Sequence, residues 1–227
     1  MIALVWIVAT VALYAASRAL ARRFLSPWLS PLLVVPGVLV VLLLATRTPY
    51  PTYLRGGRWL LALLGPTTVA FAVPLHRHRD LIRRYAVELV AGIATGSAVA
   101  VVSSAVLSRA LGLPRAETVS MLPRSITTPF AMQVATTLGG SPVLAAVFVI
   151  VTALVGVVSG RALVGRLPLR SPIARGALLG MGAHGAGTAL ALELGAVEGA
   201  VSGLVMIGAG LLLLFGAPVL QLALGAA

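Results

Sequence analysis

The sequence of 227 residues contains no cysteine and no lysine, and it holds only five acidic residues and three histidines. Without cysteine, the chain forms no disulfide, no Cys-ligated zinc site and no thiol catalyst. Three histidines, two of which stand in one arginine-rich stretch, are too few for a histidine metal site. Aromatic residues make up 5% of the chain, which leaves no platform on which nucleic-acid bases could stack. These absences argue against a metal protein and against nucleic acid as a partner.

The abundant residues are apolar, at 59% of the chain against 10% charged. A soluble domain of this length cannot bury so much apolar surface, so the composition predicts a multi-pass protein of the cell membrane. We expect an all-α fold and a single transmembrane domain over residues 1–227. It would have about seven or eight membrane segments of roughly 20 residues, including broken or re-entrant helices. The net charge of +12 comes from arginines between these segments, where they set the topology and contact lipid headgroups.

The apolar stretches delimit the predicted membrane segments. Residues 47–58 between two of them are polar and contain Gly56-Gly57, which predicts a loop with a turn. Glycines four residues apart occur in three segments and are typical of close helix packing. The predicted segments cover residues 1–17, 29–46, 59–75, 85–107, 118–138, 143–160, 173–194 and 197–224.

The segment 118–138 is interrupted near its middle by Pro123 and Pro129. Neither proline can donate a backbone hydrogen bond, and each disfavours helix in the residue before it. Broken backbone at membrane depth is tolerated only inside protein or along a watery cavity, so we interpret the interruption as a functional site. A re-entrant segment would also place the four arginines of 161–175 on the cytoplasmic side, as the positive-inside rule favours.

Arg124 and three hydroxyl side chains lie in this interruption and form the first candidate site. An arginine at the bilayer centre costs about 2.5–3.5 kcal/mol on insertion scales, so such residues usually have a partner or a function. We predict that Arg124 binds an anionic substrate together with Ser125, Thr127 and Thr128. The alternatives are an arginine that extends to the lipid headgroups and hydroxyls that satisfy carbonyls freed by the prolines.

A glycine-rich stretch around His184 forms the second candidate site, with Gly185, Gly187 and Thr188. Its glycines open space around the imidazole, which is the side chain best suited to titrate near neutral pH and so to carry a proton. The alternative is tight helix packing around a histidine that hydrogen-bonds to a neighbour. Four further polar residues are secondary candidates: Thr67, Thr68, Glu193 and Glu198.

A hydrolytic arrangement of Ser125, His184 and Glu193 would lack a nucleophile elbow and an oxyanion motif. The sequence therefore predicts a protein that is not an enzyme, with no catalytic residue, no cofactor and no metal.

Three interruptions, at Gly65, Ser125 and Gly185, each precede a long apolar segment with a Gly-x-x-x-Gly pair. Interrupted segments in corresponding positions point to a transporter site at a repeat interface. The spacings between the three are unequal, so the sequence leaves the repeat open.

The two candidate sites together resemble the LrgB/CidB family of bacterial membrane proteins. The resemblance rests on a Leu-Pro-Arg-Ser-x-Thr-Thr-Pro run, a Gly-Gly-x-Pro turn, an Ala-Arg-Gly step and an Ala-His-Gly-x-Gly-Thr-Ala run. With an earlier Gly-Pro-Thr-Thr run and a later Glu-Gly-Ala, it covers essentially the whole chain. The matching residues are Leu64–Ala70, Leu122–Ala131, Gly139–Pro142, Ala174–Gly176, Ala183–Ala189 and Glu198–Ala200.

The resemblance implies a holin- or antiholin-like protein that modulates murein hydrolases and autolysis, with a small LrgA/CidA-type membrane partner. Related proteins move small carboxylates: pyruvate in some bacteria, and glycolate or glycerate in plastids. This chain departs from the family pattern at two positions. Leu190 stands where the family often has a basic residue, and Gly203 stands where a second serine is common.

We therefore expect transport of a small monocarboxylate of the pyruvate or glycolate type, which fits the broken polar segments and Arg124. The rival expectation is a holin- or antiholin-like pore or regulator of murein hydrolase export, assembled as a homo-oligomer through its Gly-x-x-x-Gly faces. Membrane lipid surrounds the protein in both cases.

Overall fold

The computed structural model describes residues 2–24, 31–63, 66, 69 and 72–225. Within these residues the chain forms eleven helices and no strand, in agreement with the predicted all-α class. The helices are α1 (Ile2–Phe24), α2 (Pro31–Ala45), α3 (Tyr50–Ala62), α4 (Ala72–Arg77), α5 (Arg79–Arg84), α6 (Ala86–Ala110), α7 (Arg115–Met121), α8 (Thr128–Thr137), α9 (Pro142–Arg166), α10 (Pro172–Leu194) and α11 (Ala196–Gly225).

Four of the described helices are long and apolar enough to cross a membrane. They contain the spans Ala3–Ala21, Ala86–Ala110, Pro142–Arg166 and Ala196–Ala223. At 1.5 Å per residue the 25 residues of α9 are about 37 Å long, more than the roughly 30 Å of a hydrocarbon core. The total of seven or eight membrane segments stays a prediction.

The chain divides into two compact units, Met1–Ala72 and Val73–Ala227. In the first unit, α1 packs against α3 through Gly56, where a Cβ would lie 3.3 Å from Ile7 Cγ1. The predicted loop over residues 47–58 is wrong from Tyr50 onward, because α3 begins there and continues through Gly56-Gly57. A proline in its first turn suits a helix start, and the glycine permits close approach to α1.

In the second unit, α7 and α8 form a helical hairpin that we call hairpin 1 (residues 115–137). As the sequence predicts, this segment is interrupted, and the interruption covers residues 122–127. The last turn of α7 contacts the residue that precedes α9, because the Ser141 N–H donates to Ser120 Oγ over 2.7 Å. A Cβ at Gly140 would lie 2.6 Å from the same oxygen. The chain that leaves α7 therefore turns back on itself through α8 and returns to the C-terminal end of α7.

Helix α10 also turns back on itself, and we call it hairpin 2 (residues 172–194). Its first arm ends at Ala183 (φ −141°, ψ 16°) and its second arm starts after His184 (φ 37°, ψ −120°). A Cβ at Gly187 would lie 2.7 Å from the carbonyl carbon of Leu179. Residues eight apart in a continuous helix are about 12 Å apart, so this contact requires the chain to reverse at the break.

The two hairpins enter from opposite ends of α9. Hairpin 1 ends beside Ser141, which caps the N-terminus of α9 by accepting a hydrogen bond from Leu144 N–H at 3.4 Å. Hairpin 2 follows the C-terminal end of α9 and runs back along it. A Cβ at Gly160 would lie 2.9 Å from Leu179 Cδ2, and the ideal Cβ of Gly156 would lie 2.6 Å from Ala183 Cβ. This glycine pair thus serves the close helix packing that its spacing predicts.

The tips of both hairpins reach the same level of α11. Phe130, just after the interruption of hairpin 1, packs on Gly210, where a Cβ would lie 2.8 Å from Phe130 Cε2. Gly185, at the tip of hairpin 2, lies against Met206, with 3.8 Å between an ideal Cβ and the sulfur. Met206 and Gly210 are one helical turn apart, or about 6 Å. Two interrupted segments therefore meet near the middle of one long helix.

Close packing of hairpin 2 on α11 predicts that Gly180→Ala destabilises the protein. A Cβ at Gly180 would lie 2.9 Å from the Cα of Ser202, and backbone cannot move aside as a side chain can. We expect a loss of about 1–3 kcal/mol of unfolding free energy, the usual effect of overpacking. Gly165→Ala is the matched control, since a Cβ there meets nothing within 4 Å. Thermal unfolding in detergent measures both, and equal midpoints would contradict the packing described.

Candidate functional site

Arg124 lies at the tip of hairpin 1 and is held by two serines of α6. Its Nε–H donates to Ser104 Oγ over 2.8 Å, and an Nη2–H donates to Ser103 Oγ over 3.2 Å. Both hydroxyls in turn donate to the carbonyl of Ala100. Among the residues that the structure describes, Arg124 has no acidic partner. A half-buried guanidinium therefore keeps three of its five N–H donors for another acceptor.

The three predicted hydroxyls flank Arg124 at the same tip. Ser125 is buried, and Thr127 and Thr128 are half-buried. None of them makes a side-chain hydrogen bond within the described part of the chain, and Thr127 does not cap α8. Their donors and acceptors remain open to a ligand, next to the N-terminal N–H groups of α8.

His184 forms the tip of hairpin 2 and has an unusual backbone conformation. Its positive φ of 37° lies in the left-handed region that side chains other than glycine rarely adopt. Such strain persists only where the surroundings enforce it, and it clusters at functional sites. The buried imidazole contacts the carbonyl of Val149 on α9 at 3.2 Å between Nε2 and O. Because a carbonyl only accepts, Nε2 carries the proton and a neutral ring leaves Nδ1 as an acceptor.

Thr188 completes the second tip with a buried chain of hydrogen bonds. Its hydroxyl donates to the carbonyl of His184 over 3.0 Å. Since that hydroxyl has one proton, the Ser202 hydroxyl is the donor in the 3.0 Å contact between the two. Ser202 lies on α11, so the chain ties the tip of hairpin 2 to this helix.

The structure gathers most of the predicted site residues at the two tips but separates the glutamates from them. Glu193 is exposed near the base of hairpin 2, where its carboxylate is 2.9 Å from Arg161 Nη2. Nine residues along the second arm separate it from His184, or about 14 Å, so no hydrolytic triad assembles. Glu198 is buried at the same base and pairs with Arg175 at 3.3 Å. Thr67 and Thr68 lie outside the described residues.

Comparison with known proteins now identifies the family. A family model described as the LrgB-like family matches residues 10–222. The chain belongs to the LrgB family. It is 44% identical to YwbG of Bacillus subtilis over 93% of this chain and 94% of that protein. It is 33% identical to the holin-like protein CidB of Staphylococcus aureus over 90% of each chain. No solved structure matches it.

Family membership and the four apolar helices make this LrgB protein a multi-pass protein of the cell membrane. Sequence reasoning missed four of its site contacts: Ser103, Ser104, Ser202 and the carbonyl of Val149. The three serines lie in long, largely apolar helices, and hydroxyls in such helices were the available signal. Leu190 is buried against Leu179 and Gly160.

The hydrogen-bond chain in hairpin 2 predicts that Thr188→Val destabilises this LrgB protein. Valine has the same shape but removes the buried hydroxyl that bonds to the His184 carbonyl and accepts from Ser202. An unsatisfied buried group costs about 1–3 kcal/mol, and we expect a loss of that size. Thr136→Val is the control, because Thr136 is exposed and bonds only to the Met132 carbonyl of its own helix. Unchanged unfolding of the Thr188→Val protein in detergent would refute the structural role of the chain.

Proposed function

We propose that this protein carries a small monocarboxylate of the pyruvate or glycolate type across the cell membrane, between the tips of hairpins 1 and 2. The observation that carries the proposal is the half-buried Arg124, which has no acidic partner among the described residues. Such a cation in a membrane segment attracts an anion. A single arginine matches a single negative charge, and its planar fork fits both oxygens of a carboxylate.

The groups around Arg124 suit the rest of such a ligand. Ser103 and Ser104 hold the guanidinium by accepting from it, so they fix its position without neutralising its charge. The hydroxyls of Ser125, Thr127 and Thr128 can donate to carboxylate or 2-oxo oxygens. The N-terminal N–H groups of α8 add partial positive charge.

The opposed hairpins support transport rather than simple binding. Transporters built from repeats place their substrate near the bilayer midplane, between discontinuous helices that open alternately to either side. Here two interrupted segments enter from opposite ends of α9 and meet at one level of α11. In this proposal the substrate passes from Arg124 toward the tip of hairpin 2. The Nδ1 lone pair of His184 there accepts a proton that accompanies the anion.

Replacing Arg124 tests the proposal most simply. We expect Arg124→Gln to lower the uptake of labelled pyruvate by proteoliposomes at least about tenfold. Hydrogen bonds to charged groups contribute roughly 1.5–3 kcal/mol, which corresponds to that factor or more. Arg166→Gln is the matched control, since this exposed arginine lies in the last turn of α9. Saturable uptake that survives Arg124→Gln unchanged would overturn the assigned role.

A second candidate function is a holin- or antiholin-like pore or regulator of murein hydrolase export, acting with a small LrgA/CidA-type membrane protein. The holin-like names of the Staphylococcus relatives favour it. A homo-oligomer through the Gly-x-x-x-Gly faces receives less support. Gly156 and Gly160 pack against hairpin 2 within the chain, and Gly199 packs against Leu192.

Dye release distinguishes the two candidates. A pore should release a dye much larger than pyruvate from liposomes, with or without the small membrane partner, and excess pyruvate should not slow it. A carrier with closed hairpins should retain the dye while it takes up pyruvate. Dye release without saturable pyruvate uptake would favour the holin-like function over the carrier.

A further inference from the structure

Ser97 stands apart from the other hydroxyl residues of α6. Thr95, Ser103, Ser104 and Ser108 each donate to a carbonyl three or four residues earlier, as hydroxyls in membrane helices commonly do. Ser97 is only 2% exposed, and its buried Oγ has no hydrogen-bond partner among the described residues. A buried unpaired hydroxyl is costly and requires an explanation.

The position of Ser97 on α6 places it between the two hairpin tips. Its neighbour Gly96 meets the first arm of hairpin 2, where a Cβ would lie 2.8 Å from Met181 Cγ. Seven residues further along α6, about 10 Å away, Ser104 holds Arg124 at the tip of hairpin 1. Ser97 thus lies on α6 between two contacts with the hairpins, that of Gly96 with Met181 and that of Ser104 with Arg124.

A cavity approaches this position from the base of hairpin 2. It has a volume of about 230 Å³ and lies between α6, the first arm of hairpin 2 and α11. Its lining residues include Glu88 and Gly92 on α6, Ala177 on hairpin 2, and Val205 on α11. Met181 also lines the cavity and packs on Gly96 beside Ser97. A methionine side chain has three rotatable bonds, so it can close such a space or leave it.

We propose that the substrate route follows α6 from this cavity to Arg124, that Met181 closes it in the present conformation, and that Ser97 contacts the passing anion. The inference rests on the proposed function, whose substrate site it extends. The Ser97 O–H donates to a carboxylate oxygen on the side of Arg124 that faces hairpin 2. Its lack of a protein partner is then explained, because its partner is the substrate, which is in place only while Met181 is displaced.

The absence of cysteine from the chain makes a direct test available. Ser97→Cys is nearly isosteric and creates a single thiol, whose reaction rate with an anionic, membrane-impermeant methanethiosulfonate can be measured in proteoliposomes. Ala209→Cys is the matched control, because Ala209 is 0% exposed and lies in the apolar core. We expect Cys at position 97 to react at least about tenfold faster than Cys at position 209. Added pyruvate should slow it, and a further Met181→Ala should accelerate it.

The outcomes separate this inference from the proposed function. Equal rates at positions 97 and 209 would overturn the route, even if pyruvate uptake were normal. A fast reaction at position 97 that neither pyruvate nor glycolate slows would keep the route and overturn Ser97 as a contact for these substrates. Met181→Cys gives a second position that does not depend on the folding of the Ser97 variant. It should react from one side of the membrane only, and reaction from neither side would refute the entrance at the cavity.

Discussion

The constraint on which the second unit depends is that backbone groups away from water must find hydrogen-bond partners inside the protein. Each of the two hairpins reverses direction within this unit, and hydroxyl side chains bond to backbone groups near both. The Thr188 hydroxyl takes the carbonyl of His184, and the Ser120 hydroxyl takes the N–H of Ser141. The Ser120 hydroxyl thereby joins α7 to the start of α9, and the Thr188 hydroxyl joins the tip of hairpin 2 to α11 through Ser202.

The charged side chains at the base of hairpin 2 form ion pairs, whereas the arginine at the tip of hairpin 1 forms none with the described residues. At the base of hairpin 2, Arg175 pairs with the buried Glu198, and Arg161 pairs with Glu193, so cations and anions compensate each other. At the tip of hairpin 1, Arg124 is held by neutral serines and has no counter-charge within the part of the chain that the structure describes. A paired base suits an anchor, whereas an unpaired cation at the tip suits a group whose counter-charge comes and goes with a ligand.

The sequence predicted the interruptions well because prolines and glycine clusters act locally. Pro123 and Pro129 predicted the break of hairpin 1, and the glycines around His184 marked a second unusual stretch. Their partners could not be predicted in the same way, since Ser103, Ser104 and Ser202 acquire meaning only when tertiary packing brings them to the tips. Position in three dimensions also separated Glu193 and Glu198 from the site, although one of them is only nine residues from His184.

The error at Gly56-Gly57 has the same origin. Two adjacent glycines in a polar stretch favour a turn. Packing of Gly56 against α1 nevertheless stabilises a helix, and this tertiary contact cannot be read from the local sequence. Conversely, the glycine pair of α9 was correctly predicted to mark close packing, while its partner, the first arm of hairpin 2, emerged only from the fold. The local sequence thus indicates where a chain bends or packs closely, and the fold determines which element each of these positions contacts.

The entry of the two hairpins from opposite sides is the central claim, and single cysteines in the cysteine-free chain test it most directly. Two exposed residues near the base of hairpin 1 are suitable for replacement by cysteine, Leu111 and Thr136. Two exposed residues near the base of hairpin 2 are suitable in the same way, Ser171 and Ala196. Labelling with an impermeant maleimide in right-side-out and inverted vesicles reports the side of each. We predict that the first two label from one side and the last two from the other. Labelling of positions 111 and 136 from opposite sides, or of all four from the same side, would contradict the account.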